Sequence, residues 1–220
     1  MNYFQLLKNL GDIYDKLEGK VVEREFLIKK IKSKIPFREV KIVSVETLSV
    51  PYGRFNISGM YDPDRDEQGK PPITVEIAFP KNFNYRFDEN NLHREHWAGL
   101  CIDLASILGH EFVHLQQFRK RNFEWSKQYF STSKNYKLKE AQEYYGDKDE
   151  IGAYAFMAAT QILLDKIFSP QYKFTVEKTD LYKTYTSVFK KSDPVVLEFI
   201  KLTNRYTKRL EKQYHATHFH

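Results

Sequence analysis

Residues 110–114 read His-Glu-Phe-Val-His inside a run that is helical by its periodicity. Across 96–119, Trp97, Leu100, Leu104, Ile107, Leu108 and Leu115 recur mostly at i, i+3 and i+4 spacing. Two residues four apart on a helix stand one above the other on the same face. The imidazoles of His110 and His114 can therefore reach one metal ion without distorting the backbone. Their neighbours Ile107, Leu108, Phe112, Val113 and Leu115 are apolar, so the pair falls where a core face is expected. Burying unpaired imidazoles is costly, and a metal ion removes that cost. The competing reading is a pair of core histidines satisfied by hydrogen bonds. Glu111 is turned from the pair by about 100°. That places it badly for the same ligand shell but well for the space beside the metal, where a general base would act on water.

Two histidines do not complete a catalytic zinc site, which usually has three protein ligands. The sixth position after His114, where an extended motif has a third histidine, is Lys120, and Gln117 stands where that motif has glycine. No histidine occurs between His114 and His215, so the third ligand is expected to be a carboxylate. Glu140, Glu143, Asp147, Asp149 and Glu150 are the candidates. Glu150 is favoured because it opens a new amphipathic stretch, 149–167, whose Gly152, Ala153 and Ala155 would let that helix lie close to a neighbour. Glu143 is second. The competing reading of Glu150 is an acid that favours a helix N-terminus through the dipole.

His-Glu-Phe-Val-His followed by Glu-Ile-Gly-Ala-Tyr-Ala at 150–155 resembles the zincin metallopeptidases of the gluzincin type. The resemblance implies one zinc ion per chain bound by His110, His114 and Glu150, with Glu111 as catalytic base and a peptide or protein as substrate. It also implies that an edge strand before the motif helix lines the substrate cleft, a part that falls to 73–79. Two features depart from the pattern. The gap from His114 to Glu150 is long, and Tyr154 stands where some gluzincins place an aspartate that orients a zinc-bound histidine. Tyr154 lies one turn beyond Glu150 and is the candidate donor to an oxyanion, against the alternative of an ordinary core tyrosine. Tyr144 and Tyr145 are placed on the intervening loop.

The rest of the chain suggests an α+β, zincin-like fold: a small, mainly antiparallel sheet packed on the active-site helix, with further helices at both ends. One domain is expected over 1–220, with N-terminal helices in 1–35, sheet in 38–80, metal-bearing helices in 95–168 and C-terminal helices in 180–213. Residues 2–17 and 22–33 have helical spacing, and Pro36 ends the second. Residues 39–48 and 54–59 read as strands, and 73–79 alternates most cleanly, with Ile73, Val75, Ile77 and Phe79 on one face. The run 61–72 reads as a solvated hairpin loop. Its Asp62, Asp64 and Asp66 imitate a calcium loop, but Glu67 and Ile73 occupy the positions where that loop needs Gly and Glu. The last helix opens at Ser192-Asp193-Pro194, a cap followed by proline in the first turn.

Composition narrows the setting. Cys101 is the only cysteine, so no internal disulfide can form. It reads as a small buried residue. No stretch is apolar enough to suggest a membrane helix, and the N-terminus lacks the apolar centre of a secretory signal. A cytoplasmic protein with no membrane partner is the expectation. His93 and His96 read as surface residues at a helix start, and His215, His218 and His220 as an exposed tail. Net charge is +6, and the densest cations are Lys201, Arg205, Lys208, Arg209 and Lys212. A solvated helix face is favoured there and a nucleic-acid contact is the alternative. Two other readings stand beside the peptidase: a non-catalytic zincin-like metal-binding domain, and a nucleic-acid-associated protein using that C-terminal helix.

Overall fold

The computed structural model describes residues 2–47, 55–81, 83–87, 91–168, 171–172 and 174–218. Leu48, Arg54 and His220 lie outside the described residues, as do the side chains of His93 and His218. The architecture is mixed α/β, and the chain divides into two compact units, Met1–Glu111 and Phe112–His220.

The first unit opens with α1 (Tyr3–Leu17), capped by the Asn2 side chain, which accepts the Gln5 N–H. Its buried face carries Tyr3, Leu6, Leu10, Ile13 and Leu17. After α1, Gly19 takes a left-handed turn at φ 79°, a conformation that favours glycine. The chain then forms β1 (Val21–Glu23) before α2 (Arg24–Lys34). The helix expected from residue 22 therefore starts at Arg24. Val22 is opposite Tyr85 in an antiparallel pairing of β1 with β5 (Asn84–Arg86), which suits two successive β-branched residues.

The second sheet contains β2 (Val40–Thr47), β3 (Asn56–Tyr61) and β4 (Ile73–Pro80) in the order β2-β4-β3. It corrects two expectations. The sheet is not mainly antiparallel: β2 runs parallel to β4, with Val40 opposite Ile73, while β3 is antiparallel, with Ile57 opposite Ile77. The strand at 73–79 is not an edge but the centre, and β3 is an edge. The reason is apolarity. Ile73, Val75, Ile77 and Phe79 are all wholly buried, and a strand of that composition is best covered in the middle of a sheet. The acidic run between β3 and β4 forms α3 (Pro63–Glu67) rather than only loop. Asp62 caps it by accepting the Asp64 and Arg65 N–H groups, so its carboxylate serves the backbone.

The long helix α4 (Asn91–Lys120) crosses from one unit into the other. In the first unit its Trp97 indole donates to the Leu10 carbonyl at 3.3 Å, and Ser106 meets the Tyr3 hydroxyl at 3.3 Å. Among the described residues α4 alone is long and apolar enough to cross a membrane, and 61% of that apolar stretch is buried within the protein.

The second unit holds the end of α4, then α5 (Tyr136–Tyr145), α6 (Lys148–Phe168), α7 (Asp180–Val188) and α8 (Pro194–His218). Tyr144 and Tyr145 are thus on the last turn of a helix, not on a loop. Asn135 caps α5 by accepting the Leu138 N–H at 3.1 Å. The opening of α8 is as the sequence indicates: Asp193 accepts the Val195 N–H at 2.9 Å beside Pro194. α6 and α8 bury Ile151, Ala155, Ala158, Ile162, Val196 and Phe199 together, with Tyr185 stacked on Phe199 at 4.3 Å between ring centroids.

Because Ile77 sits wholly buried in the central strand, Ile77→Ala should lower stability by about 2–5 kcal/mol. Urea denaturation should show this as a lower midpoint.

Candidate metal centre

Two helix ends in the second unit bring Glu150 to His114. α4 closes with the Phe123 N–H on the Phe118 carbonyl at 2.9 Å and the Asn122 N–H on the Arg119 carbonyl at 3.3 Å. Asn122 adopts φ 52°, which makes this a Schellman-type stop with asparagine in the left-handed position. The turn leaves Arg121 free to reach α6. Its two terminal nitrogens donate to the Asp149 carboxylate at 2.7 and 2.6 Å, and its guanidinium lies over the Phe118 ring. Such a forked pair fixes direction as well as distance.

The start of α6 is held from its own side too. Asp147 accepts the Asp149 N–H at 2.8 Å and the Ser126 hydroxyl at 3.1 Å, meeting an amide that the helix leaves unbonded. Gly152 then leaves room between α6 and α4 for the Gln117 side chain. A Cβ at Gly152 would lie 2.5 Å from Gln117 Nε2 and 3.7 Å from Val113 Cγ1. The same Gln117 nitrogen donates to the Asp149 carbonyl at 3.2 Å.

This packing brings Glu150 to His114, with Nε2 and Oε1 3.6 Å apart. His110 is one turn earlier on the unbroken α4. One ligand atom from each of His110, His114 and Glu150 can be chosen so that all lie within 4.8 Å of one another. Ligands about 2.0–2.2 Å from one tetrahedral ion stand roughly 3.3 Å apart, so the group is close to the spacing a metal requires and can hold one. The charge states agree. Burial pushes His114 below its ordinary pKa and so favours the neutral ring that ligates, with Asp149 and Gln117 opposing more weakly. With the His114 ring neutral, its short approach to Glu150 is not an ion pair. Burial also lifts the Glu150 carboxyl to about 7, reinforced by Asp147 and Asp149 and opposed by a hydrogen bond with Tyr144.

The other carboxylates considered from sequence have different work. Glu143 pairs with Lys139 at 3.8 Å, Glu140 bonds Tyr136, Asp147 caps α6, and Asp149 is held by Arg121. Glu111 is buried, and in the first unit its side chain points at β3: a Cβ on Gly59 would lie 2.7 Å from Glu111 Oε1. Tyr154 joins its hydroxyl to that of Tyr144 at 3.0 Å, and Tyr144 is about half exposed. Burial pushes the Cys101 thiol up to about 12, far from a reactive thiolate. Sequence reasoning missed Arg121 and Gln117 as the groups that hold the start of α6, and Tyr144 as a hydrogen-bond partner of Glu150. Only Gln117 had a signal, as an unexplained polar residue one turn beyond His114.

Comparison with known family models, curated proteins and solved structures gives no match for this chain.

Two outcomes follow from this geometry. Folded and metal-free, Glu150 keeps its proton up to about pH 7, whereas in the unfolded chain it loses it near 4.5. The metal-free protein should therefore lose stability as pH rises between these values. A metal ion held by this group must displace that proton, so the affinity for an added divalent ion, tested with Zn2+, should fall roughly tenfold per pH unit below 7, as titration calorimetry from pH 5.5 to 8 would show. Second, Arg121→Ala strands the Asp149 carboxylate, which is buried. Because Arg121 itself keeps some contact with water, the loss should be about 2–3 kcal/mol rather than the 3–5 of a fully buried pair. Urea denaturation reads the stability, and the same variant should bind Zn2+ more weakly.

Proposed function

We propose that this chain is a zinc-dependent peptidase. The observation that carries the reading is the His110–His114–Glu150 group, two imidazoles and one carboxylate gathered within 4.8 Å. Three protein donors of this kind are the set found in catalytic zinc sites, whereas structural sites are usually closed by four. When bound, zinc supplies the Lewis acidity that makes water nucleophilic near neutral pH and polarises a carbonyl.

The chain's own residues take the remaining parts. Glu111 accepts a proton from the attacking water and returns it to the departing amine. Gly59 gives its carboxylate the room to lie against β3. That strand is an edge, and its outer side offers backbone groups with which an extended peptide can pair in the neighbourhood of Glu111. The Tyr144–Tyr154 hydroxyl pair is the proton donor toward the developing oxyanion, with the half-exposed Tyr144 in front. The resemblance to zincin metallopeptidases over residues 98–159 supports the same assignment of roles. A metal-binding domain without catalysis would need the three ligands and would have no use for a buried Glu111 between the two histidines in sequence.

Glu111→Gln should retain about one zinc per chain and lose peptide hydrolysis by about 10²–10⁴-fold, measured with unfolded casein and by metal analysis. Unchanged hydrolysis in that variant would remove the proposed base. His110→Ala should lose the zinc, and full retention would remove the ligand set.

A further inference from the structure

The last helix carries a face that the metal centre does not use. Lys201, Asn204, Arg205, Lys208, Arg209 and Lys212 are all exposed on α8 and line an open groove of about 450 Å³. They form two rows at helical spacing: Lys201, Arg205 and Arg209 in one, Asn204, Lys208 and Lys212 in the other. Successive members of a row are about 6 Å apart along the axis, and the set spans roughly 17 Å.

Among the described residues, nothing neutralises this face as a whole. Lys201 bonds Glu198 at 2.9 Å. Glu211, the other acid of α8, faces away to Lys166 at 2.6 Å. Among the described residues, Arg205, Lys208, Arg209 and Lys212 make no ion pair or hydrogen bond. Like charges at i, i+3 and i+4 oppose the helix, and here 205–208, 205–209, 208–212 and 209–212 are all such pairs. Folding gains nothing from the arrangement. A polyanion laid along the groove would relieve every one of these repulsions.

We infer that this face of α8 binds the phosphate backbone of a nucleic acid. Charge complementarity selects a polyanion, and the regular rows select one whose charges repeat along a line. A lipid surface fits less well. Membrane-bound helices add apolar side chains to their cations, but none of the six lining residues is apolar. The apolar side of α8, with Val195, Val196, Phe199 and Leu210, is already buried in the protein. Asn204 adds a neutral donor for a phosphate oxygen, a contact that positions without reading sequence.

The test is fluorescence anisotropy with the full chain and labelled 20-nucleotide probes, single-stranded and duplex, from 25 to 200 mM KCl. Binding should be independent of probe sequence. Its affinity should fall with a log–log salt slope of about −2.8 for the single strand and about −3.6 for the duplex, as four phosphate contacts require. Arg205→Glu/Arg209→Glu should weaken binding at least tenfold at 50 mM KCl and flatten the slope. Lys29→Glu/Lys32→Glu, an equal charge change on α2, should leave both unchanged. Circular dichroism of each variant confirms that α8 remains folded. No binding at 25 mM KCl would overturn the inference. So would equal losses in the two double variants, which would mean attraction by net charge alone. Capture of phosphatidylserine vesicles that depends on Arg205 and Arg209, without oligonucleotide binding, would assign the face to a membrane instead. Glu111→Gln should bind the probes as the unaltered chain does, so the outcome is independent of the proposed hydrolysis.

Discussion

The close approach of α6 to the end of α4 is the contact on which the site depends. Glu150 is separated from His114 by a long stretch of chain, yet its carboxylate must come within a few ångströms of the imidazole. Gly152 leaves room there for the end of the Gln117 side chain, which bonds the Asp149 carbonyl. Arg121 then fixes the direction through its forked bond to Asp149, the residue before Glu150. The two devices differ in kind. The glycine leaves room for the Gln117 amide beside α6, and a methyl group there would first displace that flexible side chain, whose nitrogen bonds the Asp149 carbonyl. The ion pair fixes the direction of approach. Without Arg121 the helices could still touch but would lose a charged anchor in a partly dry place.

The electrostatics of the α6 start follow from the same packing. Three acids, Asp147, Asp149 and Glu150, occur within four residues at a helix N-terminus, where the dipole favours negative charge. Asp147 is stabilised by an amide and a hydroxyl, and Asp149 by a guanidinium. Both then act against ionisation of Glu150, whose carboxyl is also desolvated. A carboxylate in that position gains more from a nearby cation than one on an open surface. The neutral state that burial imposes on His114 serves the same end, because only an unprotonated nitrogen can ligate.

The sequence made part of this legible, and the physical reasons for the division are specific. The helix bearing His110 and His114 was readable because its apolar period is strong and the two histidines keep a fixed local spacing. Glu150 was readable because small residues beside an acid imply close helix packing, and the structure brings it to His114. The α8 start was readable because proline and aspartate act locally. What failed was non-local. Residues 40–47 and 73–80 both read as strands, but no local pattern says that they pair in parallel with 56–61 on the far side. The order follows from which strand is covered most completely, and that is a property of the folded sheet. The bond from Arg121 to Asp149 joins residues far apart in sequence, and neither is unusual alone. Helix α5 buries none of its residues, so no core contact demands it.

Gly59 shows how the candidate base and the sheet are coupled within the first unit. A single glycine in an edge strand weakens it, since it adds backbone freedom and no side-chain packing. Here its position opposite Glu111 accounts for it: the missing side chain makes space for a carboxylate and for Ile107. Burying a carboxylate is itself unfavourable. A core that merely needed filling would place an apolar residue after His110, as the chain does at Phe112 and Val113. Under the proposed activity the combination is intelligible. The strand gives up a side chain and the helix keeps an acid dry, so that the base stands beside the sheet edge on which an extended substrate can pair.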